Sequence, residues 1–173
     1  MARTLIVFHS RTGATRRVAR ALADRLDADL DEIQIVQPLD GRIGYLMCAI
    51  EAVTGLAPAL APARKDPANY ELIVIGTPVW FWSLASPVRS WLEEHPLRGN
   101  RFGFFCTMGG SGASCVFSTM TELTGGKAVA TLALTDDEIE AGADAQIDGF
   151  ARALRTGRRR RSARAPAVAR ASA

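Results

Sequence analysis

The stretch that decides the fold is Thr4-Leu5-Ile6-Val7-Phe8-His9-Ser10-Arg11-Thr12-Gly13-Ala14-Thr15. Its first five residues are mostly branched and apolar, the pattern of a strand buried on both faces of a parallel sheet. From Gly13 to Leu26, Ala14, Val18, Ala21, Leu22 and Leu26 recur at helical spacing. Ser10 to Thr15 is therefore a short turn, rich in hydroxyls and holding one glycine, between a strand and a helix. Such a turn has two readings. One is a well-capped helix start, because Ser and Thr are favoured there without any ligand. The other is an anion site. Free N–H groups at a helix N-terminus point at a phosphate, and the helix dipole favours its charge. Ser10, Thr12 and Thr15 would add hydroxyl donors, and Gly13 would let the backbone come close.

Outward from this turn the chain alternates strands and helices. Leu30 to Val36 reads as a half-polar edge strand, and Ile43 to Thr54 as a helix stopped by Gly55. Pro58, Pro62 and Pro67 mark a surface connection. Leu72 to Gly76 is continuous enough for a central strand and runs into the aromatic loop Thr77-Pro78-Val79-Trp80-Phe81-Trp82. Ser86-Pro87 predicts an N-cap with proline at the first helical position, and Val88, Trp91 and Leu92 form the inner face. Phe102 to Cys106 is a fourth strand, ending in the small-residue loop Thr107-Met108-Gly109-Gly110-Ser111-Gly112. A helix from Ala113 to Leu123 and a strand from Ala128 to Leu134 follow. Thr135-Asp136-Asp137-Glu138 is a capping box for a last helix, whose inner stripe is Ile139, Ala143, Ile147, Phe150 and Leu154.

Five strands alternating with five helices predict a three-layer α/β sandwich around a parallel sheet. Ligands of such sheets bind outside the strand C-termini. The loops 10–15, 77–82 and 107–112 all follow strands and so share one edge. Helix capping explains the first loop and gives no reason for the other two.

At 173 residues the chain suggests one domain with a substantial core. Residues 155–173 carry seven arginines and no acid, so the +3 of the whole chain leaves −4 on the body. That composition fits a disordered, solubilising extension, and a contact with nucleic acid, anionic membrane or an acidic partner is its alternative. Cys48, Cys106 and Cys115 show no metal spacing and are expected as buried reduced thiols. The strand begins almost at once, leaving no room for a signal peptide, and no apolar run approaches the roughly 18–20 residues of a membrane span. A cytoplasmic protein is the expectation.

At the three loops the sequence resembles the flavodoxin family, whose members bind flavin mononucleotide (FMN). The resemblance covers roughly residues 3–154 by element order. The family's phosphate loop, Ser/Thr-x-Thr-Gly-x-Thr after the first strand, matches Ser10, Thr12, Gly13 and Thr15 at every fixed position. The resemblance implies a five-stranded sheet in the order 2-1-3-4-5, with helices on both faces. It also implies that the 10–15 loop, Arg11 and Ala14 included, holds the FMN phosphate. Arg11 would add charge there or lie in solvent. Thr77, Pro78, Val79, Trp80 and Phe81 would flank the isoalloxazine ring, with Trp80 over one face and Phe81 or Trp82 as its substitutes. The Thr107, Met108, Gly109 and Gly110 backbone would meet the ring's polar edge.

The flavin would carry the electron chemistry, leaving the chain no catalytic residue of its own. The redox partner is either a protein, as for an electron carrier, or a small acceptor such as a quinone. For a reductase, NAD(P)H would be the donor. The absence of an aromatic in the third loop, and the mildly acidic body, move weight toward a reductase. A binding module using the basic tail is the alternative from another class. His9 is either a site residue or a satisfied histidine at a strand end, and His95 suits a helix C-terminus. Ser111 and Ser114 lack a histidine–acid pattern, and Asp136, Asp137 and Glu138 read as capping acids, not metal ligands.

Overall fold

A computed structural model describes residues 4–36, 58–97 and 99–162, with side chains described as far as residue 157. The predicted helix from Ile43 to Thr54 and most of the arginine-rich tail lie outside the described residues. The strands are β1 (Thr4–Phe8), β2 (Asp29–Glu32), β3 (Leu72–Trp80), β4 (Ser83–Leu84), β5 (Arg101–Met108) and β6 (Ala128–Thr135). The helices are α1 (Ala14–Leu26), α2 (Ser86–Glu94), α3 (Ala113–Thr124), α4 (Asp136–Glu140) and α5 (Asp144–Ser162). A 3-10 turn, Pro67–Asn69, precedes β3.

The sheet order is β2-β1-β3-β5-β6, all parallel, with β4 pairing antiparallel to β3 off this path. Leaving out the short β4, this is the expected 2-1-3-4-5 order. Alternation along each strand divides the core between the two faces. Ile6, Phe8 and Val74 join Val18 and Leu22 of α1 and Ile147, Phe150 and Leu154 of α5. Leu5, Val7, Ile73 and Ile75 join Val88 and Trp91 of α2 and Val116 and Met120 of α3. Each such side chain, fully buried, contributes about 1.5–3 kcal/mol of transfer free energy. Gly76 lies beneath Phe105, whose ring would stand 2.1 Å from a Cβ at that position. A side chain there would displace the aromatic.

Several local expectations are corrected. The segment 77–82 is not an open loop: β3 continues to Trp80, and a two-residue turn returns the chain into β4, pairing Trp80 with Ser83. The N-cap of α2 is Ala85, so Ser86 and Pro87 are its first two residues. β2 ends at Glu32, and Ile35 makes only an isolated bridge to Leu60. The capping box of Thr135 and Glu138 is present, but the last helix is broken at Gly142, whose φ is +83°. The predicted stripe survives that break, since Ile139, Ala143, Ile147, Phe150 and Leu154 are all buried. α5 then runs past residue 154, and Gly157 packs against Val129 of β6. Cys106 is buried, which pushes its thiol up to about 12, whereas Cys115 is exposed. Cys106 sits on the interior strand β5, while Cys115 lies on α3 one residue off the stripe that buries Val116.

Candidate functional site at the carboxyl edge of the sheet

α1 starts on Gly13, which is left-handed (φ +102°) and makes no side-chain cap. The first intrahelical bond runs from Arg17 N–H to the Gly13 carbonyl at 2.9 Å. The N–H of Arg16 is instead taken by Ser10 Oγ at 3.1 Å, which draws the loop around the helix start. Ala14 and Thr15 therefore present amides that have no partner within the helix. A Cβ at Gly13 would meet nothing within 4 Å. Of the two readings the turn allowed, capping accounts for Ser10 alone. Arg16 is turned away to Glu32, with Nε and Nη2 donating at 2.9 and 2.6 Å. Hydrogen bonding to that carboxylate raises the Arg16 pKa.

Three contacts join the three loops in pairs, one of them through His9, the residue just before the first loop. The Thr15 and Thr107 hydroxyls meet at 2.8 Å, both almost wholly buried, linking the 10–15 turn to the end of β5. His9 meets Trp80 edge to face, with ring centroids 5.7 Å apart and planes at 87°. Trp82 Nε1–H donates to Ser111 Oγ at 2.9 Å, linking the β3–β4 hairpin to the loop before α3.

His9 is a satisfied strand-end histidine and a neighbour of the site at once. Its Nδ1 lies 3.1 Å from the Ile33 carbonyl, so that nitrogen carries the proton in the neutral ring. Burial lowers its pKa, with the Ile33 carbonyl and Glu32 opposing and Arg16 and Arg11 reinforcing. Trp80 is half-buried against the α2–α3 side of the core.

The hairpin turn itself is strained. Phe81 and Trp82 both have positive φ, 49° and 58°, the geometry of a type I′ turn that ordinarily selects Asn-Gly. Left-handed backbone costs a residue with a Cβ about 1–2 kcal/mol. Both aromatics are exposed, at 52% and 63%. The turn therefore holds two large apolar side chains in solvent at the sheet edge, against both sterics and the hydrophobic effect.

α3 begins as α1 does, on a left-handed glycine, Gly112 (φ +112°), without a side-chain cap. Here the space is filled: a Cβ would lie 2.8 Å from Val79 Cγ1 and 3.0 Å from Trp82 Cα.

The sequence-predicted residues thus gather on one edge. Ser10, Thr15, Thr77 and Thr107 are buried, and Gly13, Ala14, Pro78, Val79, Trp80 and Met108 are half-buried. Arg11, Thr12, Phe81, Gly109 and Gly110 are exposed. Sequence reading missed the Ser111–Trp82 and His9–Trp80 contacts, and no motif announces either. Among the described residues no group of His, Cys, Asp or Glu could hold a metal ion, and no helix is long and apolar enough to cross a membrane. His95 stacks on Trp91 at 4.6 Å and its Nδ1 meets the Trp91 carbonyl, away from these loops.

A family model described as flavodoxin matches residues 3–132. Comparison with curated proteins finds no match. Among solved structures, a candidate flavoprotein from Bacteroides uniformis is 21% identical with a TM-score of 0.75, covering 87% of this chain and 98% of its own. A flavoprotein from Lactobacillus acidophilus, solved in complex with FMN, is 23% identical with a TM-score of 0.64, covering 83% and 99%. A WrbA-like flavodoxin from Agrobacterium tumefaciens is 16% identical with a TM-score of 0.56, covering 92% and 99%. At these identities the likeness is one of fold.

Proposed function

The chain belongs to the flavodoxin family, and on that premise we propose that it is an FMN-binding redox protein. The observation that carries the reading is the pairwise joining of the three loops, Thr15 to Thr107, His9 to Trp80 and Trp82 to Ser111. A helix cap needs none of these contacts. A ligand with an anionic tail and a flat ring uses all three loops together.

The donor set fits that ligand. The amides of Gly13, Ala14 and Thr15, with Thr12 exposed beside them, receive the phosphate at the positive end of α1. Arg16 is held by Glu32, so amides and hydroxyls carry most of this binding. The aromatic hairpin supplies apolar cover for a ring, and the 107–110 backbone supplies polar groups for its edge. FMN, when bound, supplies the electron transfer; the chain binds and orients it.

Within this reading a small-molecule reductase is favoured over a protein-docking carrier. The third loop carries no aromatic, Gly109 and Gly110 are exposed, and a Cβ at either would meet nothing within 4 Å. That side of the site is open to an acceptor such as a quinone, with NAD(P)H as donor.

The test is an anaerobic titration of the purified, FMN-loaded protein, first with NADH or NADPH and then with dithionite, while the visible spectrum is recorded. Rapid bleaching by a nicotinamide and turnover with quinones is expected. Reduction by dithionite alone makes the protein a carrier. A colourless protein that takes up no added FMN overturns the whole reading.

A further inference from the structure

The hydroxyl pair beneath the loops has a role of its own, which rests on the FMN reading. Thr107 is the penultimate residue of β5, between Pro78 of β3 and Leu134 of β6, at 3% exposure. Thr15 is the second residue of α1, at 2% exposure. Their Oγ1 atoms lie 2.8 Å apart across 92 residues of chain. A buried hydroxyl without a partner is costly, so each fixes the rotamer of the other. The Thr15 amide is one of those that the helix leaves free, and it moves with its own Cα. Strand β5, within the sheet, therefore sets where that amide points.

We propose that the Thr107 side chain is a positioning group for the phosphate loop, its hydroxyl acting through Thr15 and not by contact with the flavin ring. The family resemblance places Thr107 at the ring edge; its nearly complete burial and its bond to Thr15 place its action at the other end of the ligand. Valine replaces threonine with almost the same shape and no hydroxyl. It leaves the buried Thr15 Oγ1 without its Thr107 partner, so the start of α1 relaxes.

The experiment compares FMN with riboflavin, which has the ring and lacks the phosphate, on apoprotein prepared from the full chain. Flavin fluorescence quenching gives both affinities. Thr107→Val is expected to weaken FMN about tenfold and riboflavin by no more than about twofold. Thr107→Ser, which keeps the hydroxyl, restores FMN binding. Inorganic phosphate, used as a competitor of FMN, loses affinity in the same proportion as FMN. The double variant T15V/T107V binds FMN as T15V does, because both remove one shared bond. Equal losses for both flavins overturn the proposal, since they mean that Thr107 serves the ring or the fold at large. Unchanged FMN affinity in T107V, or losses that add in the double variant, also overturn it. A wild-type protein that binds neither flavin overturns the FMN reading itself, an outcome distinct from these.

Discussion

Two helices start on the same sheet edge with the same device, and their surroundings differ. α1 and α3 each begin on a left-handed glycine, Gly13 and Gly112, which itself supplies no side-chain cap. Each makes its first intrahelical bond to that glycine's carbonyl, from Arg17 and Val116. Around Gly13 there is open space; on Gly112 sit Val79 and Trp82. The same backbone thus leaves an open helix end in one place and makes a seat for an indole in the other. Helix geometry alone does not make a ligand site. What covers the helix end decides it.

The comparison can be broken by adding one methyl to each helix start. Gly112→Ala combines left-handed strain with a clash and is expected to cost about 2–5 kcal/mol in urea unfolding. Gly13→Ala carries only the strain, about 1–2 kcal/mol. Equal losses would show that the indole seat is loose and that the two ends do not differ. A smaller effect, of opposite sign, is expected at the hairpin. Phe81→Asn suits a left-handed turn position and should raise stability by about 1 kcal/mol. FMN affinity should fall with it, because the apolar cover is thinned. A gain in stability with unchanged FMN affinity would show that the strained turn does not serve the ligand.

The smallest effect is the pH response of His9. Its folded pKa lies below the ordinary 6.5, with burial the main cause. As pH falls below that value the unfolded chain takes up the proton first, so the folded state loses stability on acidification. Replacing His9 with glutamine should flatten this decline in melting temperature between about pH 7.5 and 5.5. An unchanged slope would remove His9 from the account.

The centre of the sheet was legible because β1, β3 and β5 are rich in branched or aromatic residues and the helices between them carry an apolar stripe. Ile6, Val74, Phe105 and Leu132 all lie where their alternation implies. The β3–β4 hairpin was not legible, because its turn is Phe81-Trp82 where sequence rules look for Asn-Gly. The α2 cap was misread by one residue, because Ser86-Pro87 carries the residue types of a cap that the backbone places at Ala85. The break at Gly142 left no trace in the apolar stripe, which continues through it. For the candidate site, the strand–turn–helix of residues 10–15 was plain in its hydroxyls and glycine, while Thr15–Thr107 joins residues that only the folded sheet brings together. Their pairing has no local signal.

The capping acids that start α4 have one more consequence, for how copies of this chain meet one another. Among the described residues β6 is a terminal strand of the sheet, eight residues long, and Ala128 to Thr135 contains no charge. An uncharged edge rich in Ala, Val, Leu and Thr is a template for strand addition by another molecule. Lys127 stands at one end of it, and Asp136, Asp137 and Glu138 at the other. Charges at both ends discourage a second strand from aligning along this edge. The box that begins a helix thereby also guards against aggregation.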